Sequence, residues 1–118
     1  MITIRKPRAK ERSTYVISMK FKDETGEDAV PTAIKWTLCD ENSNPINGRK
    51  DVEVLVPANE IDVVLKGDDL QILEGEKDQE TVQRYVVIEA TYNSTLGTGL
   101  PLNEVAMFEL TNFLYIGE

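Results

Sequence analysis

Apolar side chains recur at every second position through most of this chain, a spacing that puts one face of an extended strand into a core and the other into water. Over 15–22, Tyr15, Ile17, Met19 and Phe21 fall on one face, with Ser18, Lys20 and Lys22 on the other. After the polar turn 23–28, Pro31 marks entry to a second strand. There Ile34, Trp36 and Leu38 alternate with Lys35 and Thr37, and Trp36 is expected at the centre of the core. Val52, Val54 and Val56 keep step over 51–56, Pro57-Ala58-Asn59 breaks the ladder, and Ile61, Val63 and Leu65 resume it. Gly67-Asp68-Asp69-Leu70 reads as a turn capping a single helical turn, with Leu70, Ile72 and Leu73 closing one end of the core.

Further along, 85–92 sets Val86, Ile88, Ala90 and Tyr92 against Tyr85, Val87, Glu89 and Thr91. Gly97, Gly99 and Pro101 punctuate the next stretch. Residues 104–112 then give a last strand in which Ala106, Phe108 and Leu110 alternate with Met107, Glu109 and Thr111, and Phe113 to Ile116 extend the apolar pattern. The charged stretch 74–80 carries Gly75 and is expected as an exposed, mobile loop. Six to eight strands, regular turn signals and no long helical stripe predict an all-β fold, an antiparallel sandwich with at most a short helical turn. An open barrel is the competing architecture.

At 118 residues the chain fits one domain, and 41% hydrophobic with 29% charged residues is the balance of a soluble globular domain. The formal charge is −8, which repels a polyanion from the molecule as a whole, so nucleic-acid binding is not expected. The charge is uneven. Residues 1–12 hold Arg5, Lys6, Arg8, Lys10 and Arg12 against Glu11 alone, a basic arm or first strand preceding the acidic domain of 13–118. The arm reads first as a solvated, partly frayed chain end and, as the alternative, as a segment that docks on an acidic surface, including the body of a neighbouring copy. The opening residues lack the apolar stretch of a secretory signal, and no run approaches a membrane span, so a cytoplasmic location without membrane insertion is expected. Asn93-Ser94-Thr95 is read as a turn.

The chain has no histidine and one cysteine, Cys39, which removes the usual neutral-pH base, internal disulfides and Cys/His zinc cages. Cys39 is expected as a strand-end thiol behaving as a small hydrophobe. Asp40, Asn42 and Asn44 match the first, third and fifth positions of a calcium loop, but Pro45 stands where glycine belongs, and the reading is a hairpin turn. Asp23, Glu24, Glu27 and Asp28, and Asp68 with Asp69, are read as solvated turns. No pair of carboxylates is singled out for glycoside hydrolysis, and neither GxGxxG nor GxxxxGK occurs. No catalytic, cofactor or metal residue is expected.

The order of segments Phe21-Lys22-Asp23-Glu24-Thr25-Gly26, Pro31 to Leu38 and the 40–47 turn resembles small immunoglobulin-like or fibronectin-like β-sandwich proteins encoded in bacteriophage and prophage structural gene clusters. Val56-Pro57-Ala58, Val63 to Leu70, Ala90 to Ser94 and Gly97 to Leu102 extend the resemblance over about 13–113. Its motifs are turn and core patterns, so it speaks to fold before function. The resemblance implies an immunoglobulin-like sandwich and a non-enzymatic virion or assembly component of tail, neck or head surface. Such a protein would be found in the bacterial cytoplasm during assembly and then in the virion. Protein partners are expected, whether further copies or a larger ring. Expected contact residues are the basic arm, Tyr85, Tyr115 and Leu100 in the stretch 95–103, where Leu96 and Leu102 add apolar surface. The competing reading is a carbohydrate- or cell-surface-binding module, with Tyr85 and Tyr115 as stacking anchors.

Overall fold

The computed structural model describes residues 2–4 as backbone and residues 8–112 in full. Among the described residues there are eight strands: β1 (Ile2–Ile4), β2 (Ala9–Lys10), β3 (Thr14–Lys20), β4 (Ala33–Cys39), β5 (Val52–Glu53), β6 (Glu60–Lys66), β7 (Thr81–Ser94) and β8 (Gly97–Thr111). Two single 3-10 turns, Gly67–Leu70 and Glu74–Glu76, are the helical content among the described residues. The fold is all-β, as the period-two pattern predicts.

The large sheet runs β1-β8-β7-β4-β5, with β2 also on β8, and β3 and β6 form a separate two-stranded sheet. The core lies between them. Ile17, Met19 and Phe21 with Ile61, Val63 and Leu65 face Ile34, Trp36, Leu38, Val86, Ile88, Ala106, Phe108 and Leu110, all buried. Tyr15 tilts against Phe108 with ring centroids 4.8 Å apart, tying the two layers at one end. Trp36 is buried as expected, and Arg49 lies 5.7 Å from its ring centroid.

The large sheet is mixed rather than antiparallel throughout. β1 and β2 run parallel to β8, in the registers Ile2↔Val105 and Ala9↔Leu110. Arg12 then takes a positive φ of 58°, and the chain crosses to β3 in the other sheet. Entering on one sheet and crossing to the second leaves the first strands beside the last strand in the same direction, which no hairpin could achieve.

β7 and β8 are longer than the alternation suggests. β8 begins at Gly97 rather than 104 and includes Gly99 and Pro101, the residues that read as loop punctuation. Proline is tolerated because β1 covers β8 only over Val105–Met107, so at Pro101 β8 is an edge strand whose missing N–H faces no partner. The turn is short. Leu96 N–H donates to Ser94 Oγ (3.0 Å) and Gly99 N–H to Asn93 Oδ1 (2.9 Å), so the Asn93-Ser94-Thr95 triplet does serve a turn. Fourteen residues of β7 at about 3.4 Å each span roughly 48 Å. That hairpin accounts for most of the 57 Å long axis of a molecule 24 and 23 Å across.

Two local expectations fail. Over 51–56 only Val52–Glu53 pairs, and Leu55 and Val56 are 89% and 80% exposed, because β4 offers β5 just the Lys35 and Trp36 positions. The 74–80 stretch is not simply an exposed loop. Its Glu76 is buried against the fully buried Arg84, accepting from Nη1 at 2.8 Å and Nη2 at 2.6 Å.

A candidate interaction groove

The solvent face of the large sheet is organised by register. Lys35 stands opposite Glu53 on one side and Glu89 on the other, and Glu89 stands opposite Asn103. These four exposed side chains cross four strands in one row, since residues paired across a sheet share a face. A second row, Ala33, Thr91 and Pro101, lies beside it. Small Ala33 leaves the floor low there. On the β5 side the chain continues past Val54, whose N–H donates to the Ile34 carbonyl at 2.9 Å, then lifts away at Leu55. The result is an open groove of about 620 Å³, floored by the two rows and walled by Val54, Leu55 and Pro57. Leu55 in its wall is strongly exposed, as is the next residue, Val56.

The charges on the groove floor are mixed. Lys35 Nζ is 3.7 Å from Asp51, a half-exposed pair, and carries the cationic charge between Glu53 and Glu89. Thr32 Oγ1 lies 3.0 Å from Thr91 Oγ1. The floor thus offers one cation, carboxylates, an amide and hydroxyls, beside an aliphatic wall. Hydrogen bonding and apolar contact are what such a set can supply. Among the described residues no group of three or more His, Cys, Asp or Glu is placed to hold a metal ion.

Of the residues expected from sequence to make contacts, Arg8, Lys10 and Tyr85 lie near one end of β7, linked through Glu109, Thr111 and Gln83, and Leu100 lies at the other end. Arg5, Lys6 and Tyr115 lie outside the described residues. Arg8 sits 3.8 Å from Glu109, and Arg12 sits 3.8 Å from Asp68, so these members of the basic arm meet acids of their own chain. Such exposed pairs contribute little. Lys10 is on β2 opposite Thr111, and Tyr85 is half-buried on β7 with its hydroxyl 3.5 Å from Gln83 Oε1. Leu100 is half-buried opposite Tyr92, near the hairpin turn. From Thr81, beside Lys10's partner Thr111, to Tyr92 is eleven residues, roughly 37 Å along the strand. One contact patch cannot include both ends.

Two acidic turns are occupied by their own backbone. Asp40 Oδ1 accepts from the N–H groups of Asn42 (2.9 Å) and Asn44 (3.0 Å), and Asp23 Oδ1 accepts from those of Thr25 (2.8 Å) and Glu27 (3.1 Å). Desolvation pushes the Asp40 carboxyl up, but the two N–H donors outweigh it and hold the group below its usual range. Cys39 is buried, and burial together with the nearby Asp40 carboxylate raises its thiol, which makes it a poor nucleophile.

Sequence reading missed the groove, though one signal was present. Leu55 stands out of step with Val52, Val54 and Val56, an aliphatic side chain at what would be the polar face of that strand. No family model matches this chain, and no curated protein or solved structure matches it.

Proposed function

We propose that this protein is a non-enzymatic β-sandwich module that acts through protein–protein contacts, with the groove beside Leu55 and Val56 as its contact surface. The single observation that carries the reading is the strongly exposed Leu55, next in sequence to exposed Val56, lining an open groove of about 620 Å³ with mixed polar and apolar walls. Monomeric proteins expose scattered apolar residues, but adjacent ones beside a concavity mark a binding surface more often than chance. An extended segment of a partner protein fits best, its apolar side chains against the aliphatic wall and its polar groups over Lys35, Glu89 and Asn103.

The finer architecture is immunoglobulin-like. In its support, a B–E pair (β3, β6) faces a sheet in which C, F and G (β4, β7, β8) are contiguous, and the core tryptophan is on the C-position strand. The sequence resemblance supplies the biological setting, a structural or assembly component of bacteriophage or prophage type. A carbohydrate-stacking role has less support: Trp36, Phe21, Phe108 and Tyr92 are buried, and Tyr15 is spent on Phe108.

The test is co-expression with the products of neighbouring genes, then calorimetric titration of each stable pair with wild type, Leu55→Asp and Val56→Asp. Affinity is expected to fall about 30-fold or more for at least one variant, as for a truncated hot spot. Unaltered affinity for both variants, or binding to a glycan array in place of any protein, would refute the proposal.

A further inference from the structure

The two-stranded sheet carries an unused edge, on a different surface from the groove. In the β3–β6 ladder, Gly67 N–H donates to the Ser13 carbonyl (3.1 Å) and Phe21 N–H to the Asn59 carbonyl (2.9 Å). Bonded and non-bonded pairs alternate in an antiparallel ladder, so with Ile17 opposite Val63 the bonded positions are the odd-numbered residues. Glu60, Asp62, Val64 and Lys66 therefore aim their backbone groups away from β3. Lys66 N–H is taken by Asp69 Oδ2 at 3.0 Å. For Glu60, Asp62 and Val64 no backbone partner exists among the described residues, and β6 pairs with β3 alone.

An exposed edge of this kind is a template for another strand, and natural proteins usually blunt it with proline, a bulge or an inward-pointing charge. None of these lies within β6, whose inward side chains are Ile61, Val63 and Leu65. Charged side chains along an edge are a further such device, and β6 carries Glu60, Asp62 and Lys66, but Glu60 at one end of seven residues and Lys66 at the other are placed to complement a second antiparallel copy.

We propose that β6 pairs antiparallel with β6 of a second copy of this chain, in the register centred on Val63. That register places Glu60 opposite Lys66 of the second copy, and by two-fold symmetry the reverse. It also places Asp62 opposite Val64 of the second copy, so the outward-facing backbone groups of Asp62 and Val64 meet those of the other strand with the bonding parity satisfied, while the Lys66 N–H stays with Asp69 and the Glu60–Lys66 pairs are joined through the Lys66 carbonyl and the side chains. The repulsive element is the diagonal approach of the two Asp62 carboxylates. Diagonal neighbours are about 7–8 Å apart against about 5 Å for direct ones, so two direct Glu–Lys pairs outweigh one diagonal like-charge pair. Asp62 is moreover held by Ser18 Oγ at 2.7 Å on its own protomer. Exposed Val16 and Val64, directly opposed within each ribbon, would then line the outer face of a four-stranded sheet running β3-β6-β6-β3. Seven residues of edge bury less than a standard interface, so the dimer is a weak one, with a dissociation constant of roughly micromolar to millimolar order.

Sedimentation equilibrium of the full chain, up to roughly millimolar protein, tests this. The wild type is expected to show a reversible monomer–dimer equilibrium. Val64→Pro removes an outward N–H and leaves the β3 ladder unaltered; with native circular dichroism retained, it is expected to weaken the dimer by about 30-fold or more. Glu60→Lys and Lys66→Glu are each expected to weaken it about tenfold, and the two together to restore it to within about threefold. The double variant also guards against misfolding of Val64→Pro, since it tests the register with no backbone change. A wild type monomeric at every concentration, a folded Val64→Pro that dimerises like wild type, or a double variant no better than the singles overturns the proposal. Leu55→Asp leaves this equilibrium unchanged, so failure of the dimer and failure of the groove reading are separate results.

Discussion

Two acidic loops meet near the same end of β7, and they do opposite things. In the 40–45 turn, Asp40 is partly exposed and its carboxylate closes its own loop through the N–H groups of Asn42 and Asn44. In the 74–80 loop, Glu76 is sunk into the protein, accepting two bonds from Arg84 and one from the Leu73 N–H at 3.1 Å. Arg84 is fully buried, its charge reaches Asp40 as well, and its Nε has no hydrogen-bond partner among the described residues. Both loops are strings of acids and small polar residues in sequence. A carboxylate that bonds only its neighbours folds a turn, whereas one facing a cation on another element ties elements together.

The widest separation between the loops is expected from Arg84→Met, which leaves Glu76 buried without a counter-charge and costs about 3–5 kcal/mol in urea denaturation. Pairing it with Glu76→Leu recovers most of that loss, because an apolar pair of similar volume needs no desolvated charge. If the double variant is as unstable as the single one, Arg84 and Glu76 do not act as a pair.

Asp69 should rank second. It is buried, accepts from Arg49 Nε (2.6 Å) and Nη2 (3.2 Å) and from Lys66 N–H, and so fastens the turn after β6 to the 46–49 loop, with Asn47 Nδ2 adding a bond to the Asp69 carbonyl (2.9 Å). Asp69→Asn is expected to cost about 1–3 kcal/mol. An unchanged midpoint would show that this clamp adds no stability.

Acid provides a third separation. Burial opposes ionisation of Glu76, but Arg84 and the Leu73 N–H prevail and hold its carboxyl below the ordinary value of 4.5. At Asp69 burial is likewise outweighed, here by Arg49 and the Lys66 N–H, and the group lies below 3.8. A depressed folded-state value stabilises the fold above the unfolded value, and the contribution is lost as pH falls through the folded one. Thermal midpoints are therefore expected to hold down to about pH 4.5 and drop below it, less steeply in the Arg84→Met/Glu76→Leu variant. An equal drop in both proteins excludes Glu76 as a source of acid sensitivity. Asp40→Ala is the smallest expected change, about 1 kcal/mol or less, since its turn is solvated and sequence-local.

Legibility followed the same division. The inward sets Ile17/Met19/Phe21, Ile34/Trp36/Leu38, Ile61/Val63/Leu65 and Ala106/Phe108/Leu110 were readable because alternation is a property of neighbouring positions. The turn roles of Asp23, Asp40 and Gly67 to Leu70 were readable for the same reason, but Asp69, expected as solvated, is buried, because Arg49 on a distant loop supplies its counter-charge. Arg84 was not: it occupies an inward position in step with Val82 and Val86, but its partner is eight residues away on another element. The groove was hidden because Lys35, Glu53, Glu89 and Asn103 are scattered along the chain and only register aligns them. The extension of β8 through Gly99 and Pro101 was hidden because edge position, not residue type, decides whether proline can sit in a strand.

By itself, then, the order of residues determined a two-faced β chain, its core set and its tight turns, since those depend on side-chain period and local backbone bonding. Tertiary structure alone decided the parallel docking of β1 and β2, the burial of Arg84 with Glu76, the groove beside Leu55 and the open edge of β6. Each of these depends on which strand lies next to which, and strand adjacency is set by packing of distant segments that no local pattern specifies.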